Sequence, residues 1–274
     1  MTSETRRAIW RPSLVQRLEA RGLLTILLVG AFAWSLSTVN WGGTLVHPGG
    51  GSIFLRFLQS LLTPDLSLSL LKLALIATWQ TVAFSVAGIT LAVFLGFPLG
   101  VIASGVLTSS RGGRWMSRLG VRFFLAFIRS IHELVWAWLF VAAIGLSPMA
   151  AILALAIPYS GILGRIYAEL LNDVAQEPLQ ALRASGASEG KVFLYGRLPM
   201  ALPDMLGYTF YRWECAIRSA AIMSFIGIPG LGFQIQVSFQ DLLFNQVWTF
   251  LFFMVALIAL VDLWSSKVRQ SLTS

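Results

Sequence analysis

Long apolar runs separated by short polar segments dominate the pattern of this chain. A helix needs roughly 20 apolar residues to cross a hydrocarbon core of about 30 Å. Six stretches come close to that length, and they cover residues 23–41, 73–103, 123–144, 148–170, 203–226 and 247–264. The pattern therefore predicts an all-α, polytopic membrane protein with about six transmembrane helices. The second run is longer than one crossing requires, which predicts a tilted or extended helix.

The segment between the first two runs has a different character. Its glycine pairs predict turns, whereas residues 53–62 have the apolar spacing of a helix lying along the membrane interface. The basic start, the first apolar run and Ala31-Phe32-Ala33 also fit a cleaved signal peptide. The run continues well past Ala33 and five more follow it, which favours a retained first helix.

Composition and charge support the membrane interpretation and give it an orientation. The chain is 57% hydrophobic and only 12% charged, against roughly 25% charged residues in a soluble domain. Fourteen of its 20 basic residues, among them Arg122, Arg197 and Arg269, fall in loops or ends on the side that holds both termini, and two, Arg56 and Lys72, fall on the other side. The positive-inside rule then places both termini in the cytoplasm. Such loops explain the net charge of +8 without a nucleic-acid partner.

Four arginines lie inside the predicted crossings, where an unpaired charge is costly. Three of them have an acid four residues away, on the same helix face. The pairs are Arg129 with Glu133, Arg165 with Glu169, and Arg218 with Glu214. Two interpretations stay open at this stage. The pairs either neutralise themselves and hold helices together, or they line a hydrated path or gate.

Arg212 differs from the other three because no acid lies three or four residues from it. Its guanidinium suits a passing phosphate-like oxyanion, or it pairs with Glu133 or with Glu214 of a second subunit. His132 beside Glu133 is either a pH-sensitive group or a helix-packing histidine. The candidate path or gate residues are Arg129, His132, Glu133, Arg212, Glu214 and Arg218.

Signals for catalysis and metal binding are weak throughout. The chain has one cysteine and two distant histidines, which argues against a cysteine or histidine metal site. The segment 188–191 resembles a phosphate-binding loop, but Ser185 and Val192 stand where that loop needs Gly and Ser or Thr. We therefore expect no catalytic residue, no metal and no cofactor bound by this chain. Gly96 and Gly100 flank Pro98, which leaves a kink or a dimer contact open.

The most informative segment is the polar loop of about residues 173–200. Helix-forming residues precede Gly186 and small residues follow it, so the loop predicts a short amphipathic helix, a break and a return to the membrane. Such a helix is suited to docking in the groove of another protein. The residues concerned are Gln180, Ala181, Leu182, Arg183, Ala184, Gly186, Ala187, Ser188, Leu198 and Pro199.

This loop resembles the EAA loop of ABC-importer permeases. The usual pattern is E-A-A, three residues, Gly, nine residues and then I-x-L-P, and here Gly186 and Leu198-Pro199 keep that spacing. Gln180 replaces the Glu, Leu182 the second Ala, and Gly196 the Ile. The segments 129–137, 155–169 and 225–232 further resemble permeases for phosphonate, phosphite and related phosphorus oxyanions. The resemblance covers roughly residues 70–270.

That resemblance implies a type I ABC-importer permease fold and an assembly. Two copies of the permease would form the pore, and two cytoplasmic ATPase subunits, which bind ATP and Mg, would dock on the EAA helices. An extracytoplasmic binding protein would deliver the substrate, and transport would proceed by alternating access. Residues 1–70 would precede a permease domain over 71–274, in the bacterial cytoplasmic (inner) membrane.

The substrate stays open at this stage between two classes, and the transport mode has one alternative. The family resemblance favours a phosphorus oxyanion, whereas the same EAA loop would also serve an importer of an amino acid or other polar solute. A channel, secondary transporter or membrane enzyme that needs no ATPase is the remaining alternative. In either importer interpretation, this chain is a transport subunit and its partner ATPase hydrolyses ATP.

Overall fold

The computed structural model describes residues 14–39, 41, 49–107 and 111–273, which contain eleven α-helices and no strand. The packing of the chain separates residues 1–55 from residues 56–274. The all-α prediction is confirmed. The helices are α1 Leu14–Ser37, α2 Gly50–Ser60, α3 Leu68–Ser104, α4 Arg111–Ser130, α5 Glu133–Ile144, α6 Pro148–Asp173, α7 Gln176–Ala184, α8 Glu189–Val192, α9 Leu198–Met223, α10 Leu231–Gln240 and α11 Phe244–Thr273.

Three helices in the described part of the chain are long and apolar enough to cross a membrane, namely α3, α6 and α11. Two bent helix pairs raise the number to as many as five. The apolar part of α1, Gly22–Ser37, is shorter than these, although its large side chains are exposed as lipid contact requires. The predicted boundary at residue 70, the predicted side of the termini and the sixth crossing stay predictions.

The third predicted crossing is not one continuous helix. α4 ends at Ser130 and α5 begins at Glu133, and the two helix axes differ by 83°. His132 lies between them in an extended conformation, and its Nδ1 accepts a hydrogen bond from the Leu134 backbone N–H at 3.2 Å. The histidine thus caps the N-terminus of α5. The apolar run predicted to cross at 123–144 is therefore two helices with a sharp bend between them, and the apolar pattern carries no sign of the cap at that bend.

Glycines bring α3 and α6 into close contact. A Cβ atom added at Gly100 would lie 2.8 Å from the carbonyl oxygen of Gly164 and 2.9 Å from the Cβ of Tyr167. At Gly96 it would lie 2.9 Å from the carbonyl oxygen of Ser160. Small residues allow backbones to approach this closely in membrane proteins. The small-residue face of α3 therefore serves a helix contact within the chain.

We expect Gly100→Ala to destabilise the fold by about 1–3 kcal/mol, because the added methyl group overpacks against backbone atoms. Gly120→Ala is the matched control, since Gly120 is helical, exposed and has no atom within 4 Å of an added Cβ. That control should be neutral or stabilising by up to about 1 kcal/mol. Thermal unfolding in detergent measures both variants, and equal melting temperatures would contradict the contact.

An aromatic cluster fastens the C-terminal half of α2 to α11. The ring of Phe57 stacks on Trp248 at 4.9 Å between centroids, and Trp248 Nε1 donates to the Phe57 carbonyl oxygen at 2.7 Å. Nearby, Asn245 Nδ2 donates to the carbonyl oxygen of Thr63 at 2.6 Å. The helix predicted over 53–62 is thus present as α2, and its C-terminal half packs against the start of α11.

Candidate translocation cavity and coupling segment

A cavity of about 460 Å³ opens between α4, α6 and α9. Each of these helices contributes one arginine to its wall, and Glu169 is the single acid among the lining residues. The lining residues are Ala126, Arg129, Ser130, Ile162, Arg165, Ile166, Glu169, Tyr208 and Arg212. Three guanidinium groups against one carboxylate give the wall a net positive charge. Clefts lined by one sign of charge concentrate ions of the opposite sign.

Arg212 takes a neutral partner in this cavity. Its Nε and Nη2 donate to the phenolic oxygen of Tyr208 at 2.8 and 2.5 Å. The guanidinium also lies 5.0 Å from the Tyr208 ring centroid and 5.5 Å from that of Tyr211, within range of a cation–π contact. These phenol contacts orient the guanidinium without neutralising its charge. Tyr208 was not anticipated from the sequence, although it precedes Arg212 by one helical turn.

Glu133 does not pair with Arg129 or with Arg212. Its Oε1 accepts a hydrogen bond from the hydroxyl of Ser219 at 2.6 Å, and that hydroxyl lies 3.2 Å from the hydroxyl of Tyr159. The break between α4 and α5 removes the i, i+4 geometry that the predicted Arg129–Glu133 pair needs. His132 Nε2 lies 3.8 Å from Glu133 Oε2. Both residues lie outside the set that lines the large cavity.

The pair of Arg165 and Glu169 forms as the helix spacing predicts. Arg165 Nε donates to Glu169 Oε1 at 2.9 Å, one turn apart on α6. Both side chains are about half exposed, at 47% and 51%. An ion pair this exposed contributes little to stability. The sequence left open whether this pair lines a path, and in the structure both of its residues line the cavity.

Glu214 and Arg218 do not form the predicted pair either. Glu214 is buried, and Arg269 at the end of α11 donates to its carboxylate at 2.5 Å. Arg218 is exposed, and it lines a separate cavity of about 320 Å³ between α9 and α11, with Glu214 and Asp262. Contacts 55 residues apart leave no periodic signal, so the sequence grouped Arg269 with the loop charges. Of the six candidate path residues, only Arg129 and Arg212 line the cavity of about 460 Å³, which we call the arginine cavity.

The coupling segment consists of α7, a tight turn and α8. α7 ends in a Schellman motif, in which the N–H of Ala187 bonds to the Leu182 carbonyl and that of Gly186 to the Arg183 carbonyl. Gly186 has φ +83 and no atom within 4 Å of an added Cβ. The left-handed conformation favours glycine at this position of the motif. The short helix and the break that the sequence predicts are therefore present.

The two faces of α7 differ sharply. Leu179 is fully buried and Leu182 is half-buried. Six of the predicted coupling residues in this segment are exposed, namely Gln180, Ala181, Arg183, Ala184, Gly186 and Ser188. Arg183 Nε donates to Glu189 Oε1 at 2.8 Å across the turn, and this hydrogen bond raises the pKa of the guanidinium. One face thus anchors the segment and the other is free to contact a partner.

Two departures from the EAA pattern compensate for each other in space. A Cβ atom added at Gly196 would lie 2.7 Å from Leu182 Cδ1 and 2.8 Å from Leu179 Cδ2. The large residue expected at position 196 is therefore replaced by a large residue at 182, which occupies the same space. Leu182 thus fills space that a side chain at position 196 would need.

We expect Gly196→Ile alone to destabilise the protein by about 1–3 kcal/mol through overpacking. Combined with Leu182→Ala, which frees the volume, it should recover most of that loss. Melting temperatures of the two single variants and the double variant form the test. Strictly additive effects would show that the two sites do not share the space.

The return of the chain to the membrane is fixed by Arg197 and Pro199. Arg197 is buried and its Nη1 donates to the Leu171 carbonyl oxygen, one of the carbonyls left unpaired at the end of α6. Pro199 has no backbone N–H, so it cannot donate a hydrogen bond to the carbonyl oxygen four residues before it. The chain adopts a π-helical turn at Phe193–Arg197, where Leu198 N–H bonds to the Phe193 carbonyl. α8, this turn and α9 therefore form an unbroken helical path.

Comparisons with known proteins agree with this architecture. Residues 96–273 match the family described as the binding-protein-dependent transport system inner membrane component. The chain is 31% identical over 192 residues to the phosphite transport system permease protein of Stutzerimonas stutzeri, covering 70% of this chain and 68% of that protein. It is 26% identical over 196 residues to the phosphate-import permease protein of Mycolicibacterium smegmatis, covering 72% of this chain and 36% of that protein.

A solved structure shares the fold. The inward-facing MetNI methionine ABC transporter superposes with a TM-score of 0.67 at 21% identity, over 76% of this chain and 100% of the matched chain. The resemblance found in the sequence is thus confirmed at the level of family and fold. The chain belongs to the binding-protein-dependent transport system inner membrane components and is the permease, or transport subunit, of an ABC transporter.

Proposed function

We propose that this permease imports a phosphorus oxyanion such as phosphite, phosphonate or hypophosphite across the bacterial cytoplasmic membrane. The observation that carries the proposal is the cavity lined by Arg129, Arg165 and Arg212 with one carboxylate. Guanidinium groups recognise tetrahedral oxyanions through paired N–H donors. A zwitterionic amino acid also needs an acidic partner for its ammonium group, and the only acid in the wall, Glu169, is already bound to Arg165.

Relatives support the same substrate class. Proteins about 30% identical to this chain carry names that refer to phosphite transport, and another carries one that refers to phosphate import. The positive cavity gives that similarity a physical basis in the chain's own residues. The cavity and the relatives' names therefore both support the proposed substrate class.

Coupling to ATP hydrolysis would act through α7. In the assembly we propose, two copies of this chain form the pore and two ATPase subunits bind the exposed face of α7, while a binding protein delivers the anion from outside. The helical path from α8 through α9 leads from the coupling segment to Arg212. Movement of the segment by the ATPase would thus reach the cavity, giving alternating access.

Growth on a single phosphorus source tests the proposal directly. A bacterial strain lacking its own phosphite and phosphonate importers would express this permease with its ATPase and binding protein. We expect growth on phosphite, methylphosphonate or hypophosphite, and no growth when the ATPase is inactivated. Uptake of an amino acid without uptake of any of these anions would overturn the substrate, and uptake without the ATPase would overturn the mechanism.

A further inference from the structure

A second cavity adjoins the large arginine cavity and shares part of its wall. It measures about 220 Å³ and lies between α4 and α6. Its lining residues are Arg122, Leu125, Ala126, Arg129, Arg165, Ala168 and Glu169. Four of these, namely Ala126, Arg129, Arg165 and Glu169, also line the large cavity. The ion pair of Arg165 and Glu169 therefore stands on the boundary between the two spaces.

Arg122 extends the positive surface beyond that boundary. It lies seven residues before Arg129 on α4, which places the two on the same helix face about 10 Å apart. The sequence counted Arg122 among the loop charges, on the side predicted to be cytoplasmic. A row of cations consequently runs from Arg212 past Arg129 and Arg165 to Arg122. The row leads towards the side predicted to be cytoplasmic, as the proposed import requires.

We propose that Glu169 is an exchangeable counter-ion that releases the transported anion from Arg165. In the structure, Arg165 donates to Glu169 at 2.9 Å and both side chains are half exposed. An exposed pair of this kind separates at little cost. An incoming oxyanion takes the place of the carboxylate on Arg165. Glu169 then competes for the guanidinium and returns the anion to Arg122 and the exit. This inference rests on the proposed oxyanion transport.

The need for such a competitor follows from the charges of the wall. Binding sites along a conduction path must attract the ion and also let it leave. Three arginines without a nearby acid would hold a divalent oxyanion through several charge-assisted hydrogen bonds. The fixed carboxylate one turn from Arg165 lowers that retention without blocking entry, because it occupies the guanidinium only between passages.

Substitution of Glu169 separates binding from release. The complete permease–ATPase complex in lipid nanodiscs would be tested for equilibrium binding of radiolabelled phosphite. With the binding protein added, the same complex in proteoliposomes gives the maximal rate of ATP-driven uptake. We expect Glu169→Gln to bind phosphite about 3- to 5-fold more tightly and to transport it more slowly. Arg165→Gln combined with Glu169→Gln should lose the gain in affinity.

Asp173→Asn is the matched control, because Asp173 is an exposed acid one turn further along α6 and lines neither cavity. It should leave phosphite binding and uptake unchanged. Unchanged binding and uptake in Glu169→Gln would overturn the inference, as would tighter binding that persists in the double variant. If Arg212→Ala nonetheless lowers phosphite uptake, oxyanion transport stands without a role for Glu169. If the wild-type complex neither binds nor imports any phosphorus oxyanion, both proposals fall.

Discussion

Replacement of Gly186 by Arg is expected to abolish uptake and to release the ATPase while the permease still inserts into the membrane. Gly186 has φ +83 at the exposed end of α7, and no atom lies within 4 Å of an added Cβ. An arginine side chain would therefore extend over the surface proposed to contact the ATPase. Co-purification of the ATPase with a tagged permease measures the effect, together with phosphite uptake in intact cells.

Two smaller substitutions distinguish steric blockage from backbone strain. Asn tolerates the left-handed conformation and is short, so Gly186→Asn should retain the ATPase and most of the uptake. Gly186→Ala carries a strain of about 1 kcal/mol without bulk, and its effect should be modest. Normal ATPase binding and normal uptake in Gly186→Arg would show that this end of α7 is not the coupling surface.

Loss of a cavity arginine should give the second large effect. Each guanidinium contributes charge-assisted hydrogen bonds worth about 1.5–3 kcal/mol, so Arg212→Ala is expected to reduce phosphite uptake about 10- to 100-fold. Arg129→Ala should act similarly, because Arg129 lines both cavities. Arg212→Lys keeps the charge but loses the planar guanidinium group with its paired donors. Its uptake should lie between the uptake of the wild type and that of Arg212→Ala.

Arg56→Ala provides the control for charge removal. Arg56 lies exposed on α2 and lines neither cavity, so this variant should transport phosphite normally. Tyr208→Phe removes the phenolic oxygen that receives both Arg212 hydrogen bonds but leaves the guanidinium charge, so substantial uptake should remain. Full uptake in Arg212→Ala, at a permease level equal to wild type, would exclude this residue from the path.

Local sequence patterns anticipated much of this molecule. Apolar run length located α3, α6 and α11, and the spacing around Gly186 located α7 and its turn. These features are encoded by residues close together in the chain. The ion pair of Arg165 and Glu169 was predicted for the same reason, since a single helical turn determines its geometry.

The failures have a common physical origin in contacts between distant segments. Glu133 takes its partner from α9, and Glu214 takes its partner from the end of α11. Neither of these long-range contacts produces a periodic pattern in the sequence. The cavity likewise exists only because α4, α6 and α9 bring one arginine each to the same place. Arg129 and Arg212 are therefore recognisable as candidates in the sequence, whereas the site they share is not.

The coupling segment shows how a departure from a family pattern can be misleading when it is considered alone. Leu182 and Gly196 each differ from the EAA pattern, yet the side chain of one fills the space left by the other. Arg197 was counted only as a loop charge, whereas it is buried and bonded to the end of α6. Both relations depend on packing that the folded chain alone reveals.

Anion-stimulated ATP hydrolysis by the reconstituted transporter shows whether phosphorus oxyanions are the substrates of this permease. Proteoliposomes would contain the permease, its ATPase and the binding protein, with phosphite, methylphosphonate, hypophosphite or an amino acid added outside. We expect at least one phosphorus oxyanion to raise ATP hydrolysis, the amino acid to have no effect, and Arg212→Ala to weaken the response. Stimulation by the amino acid alone, or an unchanged response in Arg212→Ala, would contradict this expectation.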